Sequence, residues 1–130
     1  MSTVAVDSHV VHWWSAEPER ISPAAARAIS RADELAVADI TWFELAWLAS
    51  HARIMLTIPT GACLRQLAAQ VRTIPVTPAI AETAVNLPPS FPGDPADRLI
   101  FATAIEHGWP LITKDERLRT HLHPQHVAVW

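Results

Sequence analysis

Short apolar runs rich in β-branched residues alternate with longer helix-like segments along this chain, and no hairpin turn joins any two of the runs. The first run, TVAV at 3–6, is stopped by Asp7. ELAVADI at 34–40, TIPV at 73–76, PLIT at 110–113 and HVAVW at 126–130 follow. The intervening stretches are helical in pattern: roughly 10–31 with a break near 18–23, then 41–54, then 60–71. Two more begin at Pro78 and at Pro95. Strands separated by helices and not by tight turns must run parallel, because a parallel pair needs a crossover connection. The expected fold is therefore α/β: a three-layer α/β/α sandwich around a central, mainly parallel sheet.

The chain has 130 residues, half of them hydrophobic, which suits one domain over 1–130 with a real core. NLPPSFPGDP at 86–95 carries four prolines and can be neither helix nor central strand. Pro95 opens the helix after it, and Gly108 closes that helix as a C-terminal glycine does. A single cysteine, Cys63, cannot form an internal disulfide, so a reducing cytoplasm and a buried structural thiol are expected. The N-terminus lacks a basic leader, and Asp39 and Glu44 interrupt the most apolar stretch, so neither a signal peptide nor a membrane span is expected. A formal charge of −3 argues against a broadly basic nucleic-acid coat but leaves room for a local basic patch.

The acids fall in a pattern. Asp7 ends the first strand, Glu44 lies one turn into the helix after the second, Asp94 and Asp97 open the helix that leads into PLIT, and Asp115 follows that strand. In a parallel sheet, strand C-termini and helix N-termini share one edge, where ligands bind. Taken singly, each acid is better explained as a helix cap. Thr41-x-x-Glu44 reads as a capping box, Asp94 as an N-cap before Pro95, and Asp7 and Asp115 as caps of their own helices. Taken together, carboxylates crowded at one edge repel one another unless a cation sits among them. A hard divalent ion such as Mg²⁺ suits oxygen ligands of this kind.

VAVDSHVVHWW, ITWFELAWL, DPADRLIFATAIEHG and LITKD occur in the order expected of the PIN-domain family, and the chain resembles its VapC-type ribonuclease toxins along nearly its whole length. DPADRLIFATA is the most specific segment. The resemblance implies a metal-dependent endoribonuclease, the toxin of a toxin–antitoxin pair, using Mg²⁺ with Mn²⁺ able to substitute. Asp7, Glu44, Asp97 and Asp115 match the family's four catalytic, metal-binding acids, with Glu44 either on the metal or orienting the attacking water. Asp94, Thr113 and Ser8 match supporting positions, Asp94 shaping the loop and pairing with Arg98. His9 departs from the small or amide residue many members carry. Arg98, Lys114, Arg117 and Arg119 are candidate contacts to RNA phosphates. A transfer RNA or ribosomal RNA substrate, a cognate VapB-type antitoxin and a homodimer are the implied partners.

Two other functions compete. A phosphatase of the haloacid-dehalogenase type also places Asp after its first strand, but wants a second Asp where this chain has His9. A catalytically silent PIN-like binding module would be favoured by loss of one of the four acids, and none is missing. His121, His123 and His126 in HLHPQH read as an exposed turn before they read as a zinc site. Adjacent Trp13 and Trp14 are expected to face different ways. With Trp42 and Trp47 they are expected to leave an exposed apolar patch for a dimer or an antitoxin.

Overall fold

The computed structural model describes residues 2–121 and 128–130. Its strands β1 (Thr3–Val6), β2 (Glu34–Ala38), β3 (Arg72–Ile74), β4 (Leu111–Ile112) and β5 (Ala128–Val129) form one sheet in the order β3-β2-β1-β4-β5. Every pairing is parallel, with Val4 opposite Leu35, Ala5 opposite Leu111 and Ala38 opposite Ile74. The expected α/β sandwich is what the chain adopts. β1 is central, and the chain winds from it first toward β3 and later toward β5. The point where the order reverses lies between β1 and β4, and it opens a crevice at their C-terminal ends.

The strands alternate large and small residues, and that alternation sorts the two faces. Val4, Val6, Leu35, Val37 and Ile112 point to one face, where they meet helices α1 (Ser8–Ala16), α2 (Pro23–Arg31), α3 (Ile40–Ser50) and α4 (Thr60–Ala68). Ala5, Ala36 and Ala38 point to the other, beneath helices α5 (Pro78–Val85) and α6 (Pro95–His107). The small alanine side chains let α6 lie close, and Phe101, Ala102 and Ala104 fill the contact with no exposure. A 3₁₀ turn, Pro18–Arg20, joins α1 to α2 at the expected proline break. A short α7 (Glu116–Arg119) follows β4. No helix among the described residues is long and apolar enough to cross a membrane.

Four local expectations need correction. Thr41 and Glu44 make no capping box: α3 already begins at Ile40 with Asp39 at its N-cap, so Thr41 is buried inside the first turn. Asp39 instead accepts the Val76 N–H at 3.1 Å. Trp13 and Trp14 both pack, half-buried, against the same core, because each bulky ring reaches it from a flank of α1. The four tryptophans do not form one exposed patch: Trp42 is half-buried and donates to Thr73, and only Trp47 is largely exposed. Cys63 is half-buried on α4, not sealed in the core. His123 and His126 lie outside the described residues, and His121 packs edge-on against Phe91 and Phe101.

Candidate active site

Three of the acids reach the crevice as helix N-caps. Asp7 follows β1 and caps α1, its Oδ1 accepting the Val10 N–H at 3.0 Å. Asp94 caps α6 through the Ala96 N–H at 2.9 Å, which sets Asp97 on the first turn above it. Asp115 follows β4 and caps α7 through the Arg117 N–H at 2.9 Å. Glu44 projects from α3. The capping reading was thus right for three of the acids, and capping is also what aims them.

Together with Lys114 and Arg117, these five acids line one open pocket of about 450 Å³. Carboxylate oxygens of Glu44, Asp94 and Asp97 all lie within 4.8 Å of one another. Asp94 therefore belongs to the acidic cluster itself and does not pair with Arg98. Its three-residue spacing from Asp97 at a helix start, which makes the two side chains neighbours, was the sequence signal for that. Thr113 donates its hydroxyl to Asp7 Oδ2 and accepts the Asp115 N–H at 3.1 Å. Ser8 is buried and bonds Thr41 at 3.4 Å, tying α1 to α3 beneath the pocket.

The electrostatics follow from the crowding. Burial, and then the neighbouring charges of Asp94 and Asp115, push the Asp97 carboxyl up to about 7. Burial also raises Asp7, against the hydrogen bond from Thr113. Hydrogen bonding to Arg117 holds Asp115 below its ordinary value. Arg117 Nη2 sits 2.7 Å from Asp115 and 3.3 Å from Asp97. Its side chain is 63% exposed, and an exposed pair contributes only about 0–1 kcal/mol, so one guanidinium does not neutralise the cluster. All-oxygen donors with excess negative charge fit a hard divalent cation.

Two of the expected phosphate contacts are engaged elsewhere. Arg98 donates to the carbonyls of Pro92, Ala84, Leu87, Pro88 and Phe91 at 2.9–3.4 Å. The proline-rich loop lacks ladder partners for these acceptors, and the guanidinium supplies them. Arg119 is half-buried beside Glu116 at 3.7 Å and does not line the pocket. Trp13 and His9 do line it, and nothing in their spacing to the acids singled Trp13 out as a site residue.

Residues 4–121 match the sequence profile of the PIN domain. The chain belongs to the PIN domain family. This PIN domain is 67% identical over 130 residues, covering all of both chains, to a protein named Ribonuclease VapC22 from Mycobacterium tuberculosis (strain ATCC 25618 / H37Rv). Its fold is shared by a toxin-antitoxin complex from Klebsiella pneumoniae, at 23% identity with 96% of each chain covered and a TM-score of 0.69. It is shared equally by VapBC2 from Rickettsia felis, solved bound to a DNA fragment from the promoter, at 11% identity with 97% and 96% covered and a TM-score of 0.69.

Proposed function

We propose that this PIN domain is a VapC-type endoribonuclease, the toxin of a toxin–antitoxin pair, that hydrolyses RNA phosphodiester bonds in a Mg²⁺-dependent reaction. The observation that carries this reading is the convergence of Asp7, Glu44, Asp97 and Asp115 on one pocket at the sheet's switch point, in a chain 67% identical to a ribonuclease. Loss of any of the four acids would favour a silent binding module, and all are present.

A divalent cation held by Asp7, Asp97 and Asp115 would supply the charge that polarises a phosphoryl oxygen and stabilises the transition state. Thr113 and the Val10 N–H keep the Asp7 carboxylate in one orientation. Glu44 makes no hydrogen bond to another described residue, and we assign it the role of orienting the attacking water and accepting its proton. Arg117, released from Asp97 and Asp115, and the exposed Lys114 are the groups we assign to the phosphate. Asp94 holds the start of α6 and adds to the field around Asp97.

A VapB-type antitoxin is the proposed partner. Phe43 and Trp47 lie on the exposed side of α3 and, with the core-packed Ile40 and with Pro95, line a groove that also takes in Glu44 and Asp94. Phe43 is 68% and Trp47 43% exposed. An amphipathic segment laid there could send a basic side chain into the acidic pocket. Self-association as a two-fold dimer is proposed through exposed apolar surface of the same kind. The cytoplasm is the proposed site of action.

The test is cleavage of total cellular RNA by purified protein in Mg²⁺, with the fragment ends sequenced. Asp97→Asn is expected to keep the fold and lose most cleavage, since the amide cannot replace a carboxylate ligand. Equal cleavage by the wild type and this variant would remove the assignment.

A further inference from the structure

Next to the acidic pocket lies a second cavity, of about 570 Å³, that shares His9 and Trp13 with it. Its far wall comes from Arg20 and from Arg53 in the segment after α3. Trp13 lines both spaces, and its indole lies among two cationic side chains, Lys114 and Arg20, and the rings of His9 and Trp130, the latter tilted at 5.9 Å. Lys114 Nζ is 5.8 Å from the ring centroid, Arg20 Cζ 6.0 Å, and the His9 ring 5.8 Å. Glu17, the one acid lining the second cavity among the described residues, is occupied by Arg20 at 2.9 Å and lies 3.4 Å from His12 Nε2. Among the described residues neither Lys114 nor Arg53 is paired with a carboxylate. On a chain of net charge −3, this is a local concentration of positive charge around an aromatic face. The cavity beside α2 is lined instead by Asp33 and Glu34, and the groove along α3 takes in Glu44 and Asp94.

Arg53 is held in place by the way α3 ends. The Ala52 N–H donates to Ala49 and the Arg53 N–H to Leu48 at 2.8 Å, with Ala52 in the left-handed region at φ 55°. That is the hydrogen-bond pattern of a Schellman motif, with alanine where glycine is usual.

We propose that this cavity is a subsite for single-stranded RNA: the strand leaves the acidic pocket across Trp13, one base stacks on the indole, and the flanking phosphates lie on Lys114, Arg20 and Arg53. The proposal rests on the ribonuclease reading above and adds to it where the strand lies beyond the acidic pocket. An aromatic face among cations is the arrangement that binds unpaired nucleotides, because stacking needs a base that its neighbours have released. Lys114 is exposed and Arg20 58% exposed, so both can exchange the ring for a phosphate.

Three variants of the full chain test it: Arg53→Ala, Trp13→Leu and Trp13→Phe. The probe is a short fluorescent oligouridylate, titrated into metal-free protein at several salt concentrations, with a duplex of equal length as control. Trp13→Leu is expected to weaken single-strand binding by about tenfold, and Trp13→Phe to restore most of it. Arg53→Ala, at an exposed position that leaves folding intact, is expected to weaken it several-fold and to lower the logarithmic salt slope by about 0.7. Duplex binding should change little with Trp13. In Mg²⁺, Arg53→Ala should raise KM and leave kcat near the wild-type value on whatever RNA the wild type cuts. If the wild type binds and cuts RNA and the variants match it, the subsite is wrong while the nuclease reading stands. Unchanged RNA binding with weakened binding of the antitoxin would assign the cavity to a protein partner and overturn the proposal. A wild type that neither binds nor cuts any RNA would remove both.

Discussion

Thr113 donates its hydroxyl to Asp7 Oδ2 across the sheet's switch point, joining residues 106 positions apart in sequence. The Thr113 hydroxyl oxygen in turn accepts the Asp115 N–H. One threonine thus orients one acid and the backbone of another. Thr113→Val keeps the shape and removes both bonds. It should lower Mg²⁺ affinity by about 10–100-fold, the usual effect of losing a group that orients a metal ligand. Thr113→Ser should recover most of it. Titration calorimetry with Mg²⁺ reads the difference, and equal affinities would show the bond to be incidental.

Metal and pH should be linked through Asp97. Its carboxyl titrates near 7 in the folded chain, against an ordinary value of 3.8. Between these values the folded chain holds a proton that the unfolded chain has released, so the Asp97 contribution to metal-free stability falls as pH rises through that window and levels off above it; Asp7, also raised, adds to the fall, and His12, shifted down by burial, opposes it below 6.5. Asp115, shifted down, acts only below its ordinary value and does not oppose this. Mg²⁺ needs the ionised carboxylate. The rise in Tm on adding Mg²⁺ should therefore be larger at about pH 8 than at about pH 6. Asp97→Asn should make the metal-free profile shallower, leaving the part that Asp7 contributes, and a Tm gain independent of pH would contradict the linkage.

Arg98 should matter for stability, because its guanidinium serves five backbone carbonyls of the loop before α6 and the end of α5. Arg98→Lys supplies a single ammonium in place of a planar fork. It should cost about 3 kcal/mol in urea unfolding, since each stranded acceptor costs about 1–3 kcal/mol where it is buried. A loss below about 0.5 kcal/mol, the ordinary range for a surface change, would mean water replaces the guanidinium without penalty.

Ala52 sits at φ 55° where α3 ends, a conformation that costs an L-residue roughly 1–2 kcal/mol. Glycine avoids that cost and loses part of the gain to its greater freedom in the unfolded chain. Ala52→Gly should raise stability by about 0.5–1 kcal/mol, seen as a higher Tm. A lower Tm would show that the alanine methyl makes packing contacts worth more than the strain.

The sequence by itself determined the layer order of this protein. TVAV, ELAVADI and PLIT, separated by helical stretches and never by hairpin turns, left no alternative to crossovers and a parallel sheet. Pro95 and Gly108 bounded α6 because each acts on its own backbone dihedral. Asp7, Asp94 and Asp115 were legible as caps for the same reason: a cap bonds a backbone N–H only two or three residues away. Tertiary structure decided what depends on distant segments. The strand order placed Asp7 beside Thr113 and made the five acids neighbours. The carbonyls of a loop without ladder partners drew Arg98 away from the pocket. The face of α3 turned to the core set Thr41 inside and Phe43 and Trp47 outside, although all three stand in one apolar run. Local bonds act through the chain and can be read along it, whereas packing and charge act through space, which only the folded sheet supplies.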